Sequence, residues 1–182
     1  ARAIVLGTLL PTNTTLTSLN LANNRLGPRA ASTLAEALYF QTALTHIDLT
    51  GNPIERSGAK ALSAALSAAN CPVVTISLEG SALPVKVLRG AEVVRNVRLE
   101  KRGLGSVSAT LIAELVKINP VLTNLSLVDN ALTAEDAVTI LAALRTTKCQ
   151  SLDLSNNDLH VEGAVALGEA LALGDAGSAL ST

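Results

Sequence analysis

Six times along this chain an eleven-residue pattern, LxxLxLxxNxL, recurs, starting at Leu16, Leu44, Val73, Val94, Leu122 and Cys149. The starts are 28, 29, 21, 28 and 27 residues apart. No other feature restricts the fold as strongly, because a unit of this length cannot bury its own apolar face and must stack on its neighbours. Three aliphatic columns run through the repeats: Leu19, Ile47, Ile76, Val97, Leu125, Leu152; then Leu21, Leu49, Leu78, Leu99, Leu127, Leu154; then Leu26, Ile54, Leu83, Leu104, Leu132, Leu159. All 18 positions are Leu, Ile or Val, where an aliphatic content of 55 in 182 would fill about five or six.

Within each motif the xLxL segment alternates with period two, which predicts one short strand whose leucines point into the stack. Beyond the third column a helical stripe follows in five repeats. Four and five residues on stand Ala30-Ala31, Gly58-Ala59, Ser108-Ala109, Asp136-Ala137 and Gly163-Ala164. Eight on stand Leu34, Leu62, Ile112, Ile140 and Leu167; twelve on stand Leu38, Leu66, Val116, Leu144 and Leu171. That spacing is the buried face of a helix. Pro11, Pro72 and Pro120 each follow an expected helix, and Pro28 suits a first turn.

These residues resemble the ribonuclease-inhibitor-like class of leucine-rich repeats, whose units hold a strand and a helix. Ribonuclease inhibitors, the sensor domains of NOD-like receptors, Ran GTPase-activating proteins and tropomodulins share the class. The resemblance covers essentially the whole chain. It implies an α/β solenoid, a curved horseshoe arc with a parallel sheet on the concave face and helices on the convex face. A single domain over 1–182 is expected: a partial repeat at 1–15, repeats from 16, 44, 73, 94, 122 and 149, and a partial one from about 177.

Both ends cut through the pattern. Ala3, Leu6 and Leu10 hold the register of a preceding helix, while Gly177 and Leu180 hold that of a following strand. Terminal coils carry polar caps, so further repeats or a capping partner are expected at each end. The third repeat is short: 21 residues leave no room for a full helix, and Pro84 after Leu83 predicts an extended or single-turn return.

The ninth motif position carries Asn24, Asn52, Asn130 and Asn157, with Ser81 and Arg102 in repeats three and four. An amide there can satisfy backbone groups of adjacent coils, so these asparagines are expected to form a structural ladder.

Composition narrows the function. Hydrophobic residues make up 48% but aromatics 1%, Tyr39 and Phe40 alone, which argues against an aromatic-lined ligand pocket or a base-stacking surface. A one-layer core repeated sideways asks for medium aliphatic side chains in register, and a ring would have to be accommodated in every neighbour. Cys71 and Cys149 form no CxxC pair, and reduced thiols in an intracellular, cytoplasmic protein are expected. Residues 86–102 hold six basic residues against Glu92 and Glu100, a net +4, leaving −5 elsewhere. The stretch reads as solvated charge, then as a site for an acidic protein partner, and least as a nucleic-acid site, since no aromatic interleaves it.

Alternation places Ser18, Asn20, His46, Asp48, Thr75, Ser77, Glu79, Asn96, Arg98, Glu100, Asn124, Ser126, Ser151 and Asp153 on the exposed strand face. His46 and Asp48 share it with nearby serines, but an open sheet offers no oxyanion hole, so no catalytic set is assigned. No cofactor or metal ligand set is assigned either; His160 has no cysteine at ligand spacing. The expected function is that of a non-enzymatic interaction module or scaffold. Candidate contacts are His46, Asp48, Glu79, Arg98, Glu100, Lys101 and Arg102. The resemblance also leaves open a GTPase-activating regulator of the Ran-activator type, or the ligand-sensing or autoinhibitory end of a NOD-like receptor. No membrane span is expected.

Overall fold

The computed structural model describes residues 10–161 and, beyond them, Gly163, Val165 and Gly168. The expected register at Ala3 and Leu6, the helix positions Ala164, Leu167 and Leu171, and the partial repeat from about 177 lie outside the described residues.

After a 3-10 turn at Leu10–Thr12, strands and helices alternate. The order is β1 (Ser18–Asn20), α1 (Pro28–Leu38), β2 (His46–Asp48), α2 (Glu55–Leu66), β3 (Thr75–Ser77), β4 (Leu83–Pro84), α3 (Val85–Leu88), β5 (Asn96–Arg98), α4 (Ser106–Val116), β6 (Asn124–Ser126), α5 (Ala134–Leu144) and β7 (Ser151–Asp153). Pro28 opens α1, where its missing N–H costs nothing. Thr133 caps α5 in a reciprocal pair with Asp136.

The first column becomes an in-register ladder. Leu19 pairs with Ile47 and Ile47 with Ile76; Val97 pairs with Leu125 and Leu125 with Leu152, all in parallel. In the four inner repeats every member of the three columns is buried, none more than 4% exposed. The helical stripe meets this layer from the other side, with Ala31, Ala59, Ala109, Ala137, Leu34, Leu62, Ile112, Ile140, Leu38, Leu66, Val116 and Leu144 all buried. The small residues let helices approach closely: a methyl added at Gly58 would lie 2.9 Å from the Ala31 Cβ.

In five coils the turn from strand toward helix has a left-handed residue at the eighth position of the motif. Asn23, Gly51, Lys101, Asp129 and Asn156 all have φ between 55 and 70°. Asn, Asp and Gly adopt that region at least cost. Repeat three is the exception: Gly80 is not among the positive-φ residues.

The short repeat splits the parallel sheet. One sheet has the order β1-β2-β3-β4 and the other β5-β6-β7, with no pairing between β3 and β5. In the gap, β4 turns back on β3 in antiparallel fashion, Leu83 opposite Ile76, and α3 supplies a single helical turn. The return path is therefore both extended and helical. The helix layer closes over the gap, because α2 packs directly on α4. One layer is interrupted and the other is not.

Candidate functional site

The strand face carries the exposed polar groups. Over β5–β7 it forms a shallow concavity of about 440 Å³ lined by Asn96, Arg98, Glu100, Asn124, Ser126 and Asp153, among others. Glu100 reaches sideways to β6, accepting from the Ser126 hydroxyl at 2.8 Å. Asp153 accepts from the Ser155 hydroxyl at 2.6 Å and its N–H at 3.0 Å. The hydroxyl first, and then the backbone N–H, hold its carboxyl below the usual carboxylate range. Arg98 is exposed, and no described carboxylate pairs with it.

On the first sheet, His46 is exposed with its Nδ1 2.7 Å from the Thr45 hydroxyl, and Asp48 accepts from the Thr50 N–H at 2.9 Å. Both sit on β2, three strands before Arg98 in chain order and across the sheet break, so the candidate residues do not form one cluster.

Glu79 and Arg102 are engaged inside the protein. The Glu79 carboxylate accepts from the N–H groups of Gly105 at 2.9 Å, Val107 at 3.2 Å and Ser108 at 2.9 Å. It thus satisfies the first turn of α4, a position that favours an anion. Arg102 donates from Nη1 to the Ala82 carbonyl at 2.8 Å, and its own carbonyl accepts the Ser81 N–H at 2.9 Å. Gly80 packs so closely there that a methyl would lie 1.7 Å from the Arg102 oxygen. These contacts join the two sheets where the asparagine ladder is missing.

The ladder exists between the first and second coils, the fourth and fifth, and the fifth and sixth. Asn52 Oδ1 accepts from the Asn24 and Leu26 N–H groups, both at 2.9 Å, while its Nδ2 donates to Leu21 and Leu49 carbonyls, both at 2.8 Å. Asn130 repeats the arrangement with Arg102, Leu104, Leu99 and Leu127. Asn157 does so with Leu132, Leu127 and Leu154. Asn24 donates within its own turn, to Leu21 and Ala22.

The basic stretch is scattered by the same geometry. Arg89 is buried and donates to the carbonyls of Leu66, Ala68 and Cys71, closing the C-terminal end of α2. Lys101 lies 3.7 Å from Asp129. What faces outward on the strands is Arg98 alone of the six. Burial pushes the thiols of both Cys71 and Cys149 upward, so neither is an activated nucleophile. Cys149 is half-buried, less enclosed than Leu44, Val73 and Leu122 at the same motif position. Among the described residues, no group of three or more His, Cys, Asp or Glu could hold a metal, and no helix is long and apolar enough to cross a membrane.

A further network lies on the helix side and has no signal in the motif. Arg56, at the start of α2, donates to Asp136 on α5 at 2.8 Å and to the Ser106 hydroxyl on α4 at 3.2 Å. Strand alternation does mark Asn96, Asn124 and Asp153 as face residues, but only the fold groups them around Arg98.

The sequence family described as "Leucine Rich repeat" matches residues 12–35, 41–63 and 150–168. The first two segments hold β1 and β2 with most of α1 and α2, and the third holds β7. The chain has the repeat pattern and the fold of the ribonuclease-inhibitor-like leucine-rich repeats. This leucine-rich-repeat chain is 28% identical over 167 residues to NACHT, LRR and PYD domains-containing protein 4E of Mus musculus, covering 86% of the chain and 17% of that protein. It is likewise 28% identical over 166 residues to NACHT, LRR and PYD domains-containing protein 5 of Bos taurus, covering 86% of the chain and 15% of that protein. The chain thus spans about a sixth of the length of these curated relatives. Among solved structures, a tropomodulin C-terminal domain of Caenorhabditis elegans aligns with TM-score 0.43 and 15% identity, covering 99% of this chain and 97% of that one.

Proposed function

We propose that this leucine-rich-repeat arc is a non-enzymatic module that binds an acidic protein partner, in the cell interior, through the strand face of β5–β7 and its adjoining rim. The observation that carries the reading is Arg98. Its guanidinium stands in a wettable concavity with no carboxylate bonded to it, while the neighbouring Arg89 and Arg102 are spent on backbone carbonyls. A planar cation in such a setting favours a bidentate carboxylate. Glu100 and Lys101 flank it as rim contacts. His46 and Asp48 belong to the same face of the first sheet, where a large partner would reach them, and Glu79 and Arg102 act by holding the rim in shape.

The test is affinity capture with the full-length chain and with Arg98→Glu. Loss of one captured partner on reversal supports the site; an unchanged set rejects it. A second reading, the sensing or autoinhibitory end of a receptor, is favoured by the relatives' names, which place leucine-rich repeats beside NACHT and PYD domains. A nucleotide-binding module in the same polypeptide would support it. A Ran-activator-type regulator is the remaining alternative, and no rim feature specific to it stands out among the described residues.

A further inference from the structure

The break in the strand layer leaves β5 with an unused edge. Toward β6, the Arg95 carbonyl accepts from Thr123 and Asn124, and the Leu99 N–H donates to the Ser126 carbonyl at 2.9 Å. Backbone groups along a strand point alternately to the two sides. Val97 therefore faces β6, and the N–H and C=O groups of Asn96 and Arg98 face the opposite way, toward β3 and β4. No described strand pairs with them, since β5 is the edge of its sheet and β4 hydrogen-bonds to β3 only. By contrast, β2 and β6 have both edges occupied.

We infer that this edge is a docking strand for an extended acidic peptide, which adds to β5 by backbone pairing and places a carboxylate on Arg98. An open strand edge is a template for just such addition. Two features favour an acidic occupant. The side chain of Arg98 stands on the strand face directly above its own unpaired N–H, and the carboxylate nearest in sequence, Glu100, is held by Ser126 on the far side, toward β6. Arg95 is exposed at the start of the same strand, adding positive charge at the entrance. A second copy of this chain would instead bring another Arg98 to the same edge, like charge against like. The inference rests on the reading that the strand face binds protein, and it adds how: through main chain as well as through side chains.

The experiment uses the 182-residue chain and the octapeptide acetyl-(Val-Glu)4-amide, which when extended puts valines on one side and glutamates on the other. Binding is followed by titration calorimetry, and backbone pairing by hydrogen exchange at the Asn96 and Arg98 amides. The expected result is slowed exchange at both amides. Two further peptides, one N-methylated at its valines and one at its glutamates, separate the two edges of the probe. One of the two binds about tenfold more weakly than the other, the loss of one or two hydrogen bonds. Arg98→Glu weakens the parent peptide by about tenfold or more, and acetyl-(Val-Lys)4-amide does not compete. Asn96→Pro removes an N–H that no described group uses, so it keeps the fold, checked by its circular dichroism, and loses the peptide. Absence of binding, equal binding of both methylated peptides, or self-association of the chain through β5 in sedimentation would each overturn the proposal. Strand-face binding survives separately if Arg98→Glu loses a captured partner that Asn96→Pro retains.

Discussion

The Arg56 guanidinium donates to the Asp136 carboxylate at 2.8 Å, joining helices whose residues lie 80 positions apart in the chain. Asp136 has no exposed side-chain surface, whereas a third of the Arg56 side chain is exposed. The other carboxylate oxygen accepts from the Ser106 hydroxyl at 2.9 Å and from Thr133 at its N–H and hydroxyl, at 2.9 and 2.8 Å. Removing Arg56 leaves a buried charge with its neutral donors only. Arg56→Ala is expected to destabilise the chain by about 1–3 kcal/mol, below the range for fully buried pairs because Arg56 is partly solvated. Urea unfolding of Arg56→Ala, Asp136→Ala and the double variant checks it, and additive losses would show that the two side chains act independently.

Asn52 is the second test. Its amide satisfies four backbone groups drawn from two coils, and an alanine leaves the half-buried donors and acceptors without partners. Asn52→Ala is expected to cost on the order of 1–3 kcal/mol. An unchanged thermal melting curve would refute the bridging role.

The regular part of this architecture is legible in the sequence because each coil states it again. The columns through Ile76, Leu78 and Leu83 and through Val97, Leu99 and Leu104 continue without a flaw into the short repeat. For that reason they give no sign that the hydrogen-bond ladder stops between β3 and β5. Only the missing residues hint at it, and a gap in length does not say which layer closes and which opens. Glu79, Arg89 and Arg102 read as surface charge because each finds its partner on another coil, 26, 23 and 20 residues away. The basic window was a cluster in sequence and is not one in space: strand, turn and helix send successive residues to different faces.

Arg89 is expected to behave as a structural residue. It is 8% exposed and its guanidinium fans across three carbonyls at the end of α2. Arg89→Ala should cost on the order of 3 kcal/mol, since the donor is charged and the carbonyls lose their partner. Arg89→Lys should restore little, because an ammonium cannot spread over three acceptors in a plane. Chemical denaturation of both variants distinguishes this from a solvated arginine, whose lysine variant would be neutral.

Gly80→Ala tests the joint between the sheets. The added methyl would sit 1.7 Å from the Arg102 carbonyl oxygen, and backbone on both sides must move to make room. The expected loss is about 2 kcal/mol or more, with faster hydrogen exchange at Ser81, whose N–H donates to that carbonyl. Wild-type stability would mean that the approach is looser than described.

The Asp153 carboxyl offers a readout by pH. Its titration is held below the ordinary range chiefly by the Ser155 hydroxyl, so ionised Asp153 favours the folded chain above that range. The benefit disappears as pH falls through the lowered value. Ser155→Ala is expected to move the titration upward, toward that of an ordinary aspartate, while the N–H bond at 3.0 Å keeps part of the effect. Carboxyl carbon chemical shifts followed from neutral to acid pH measure it, and an unmoved midpoint would assign the shift elsewhere.

The interrupted strand layer also has a mechanical meaning. In a row of identical coils, flexing stretches every inter-strand bond a little and the stiffness is uniform. Here α2 and α4 remain in contact while β3 and β5 share no ladder. Opening or closing the arc at this point would strain the contacts of Glu79, Gly80 and Ser81 with the fourth coil and no inter-strand ladder. The described strand layer is two ladders that meet at the third repeat, so bending would concentrate at that junction and not be shared among all the coils.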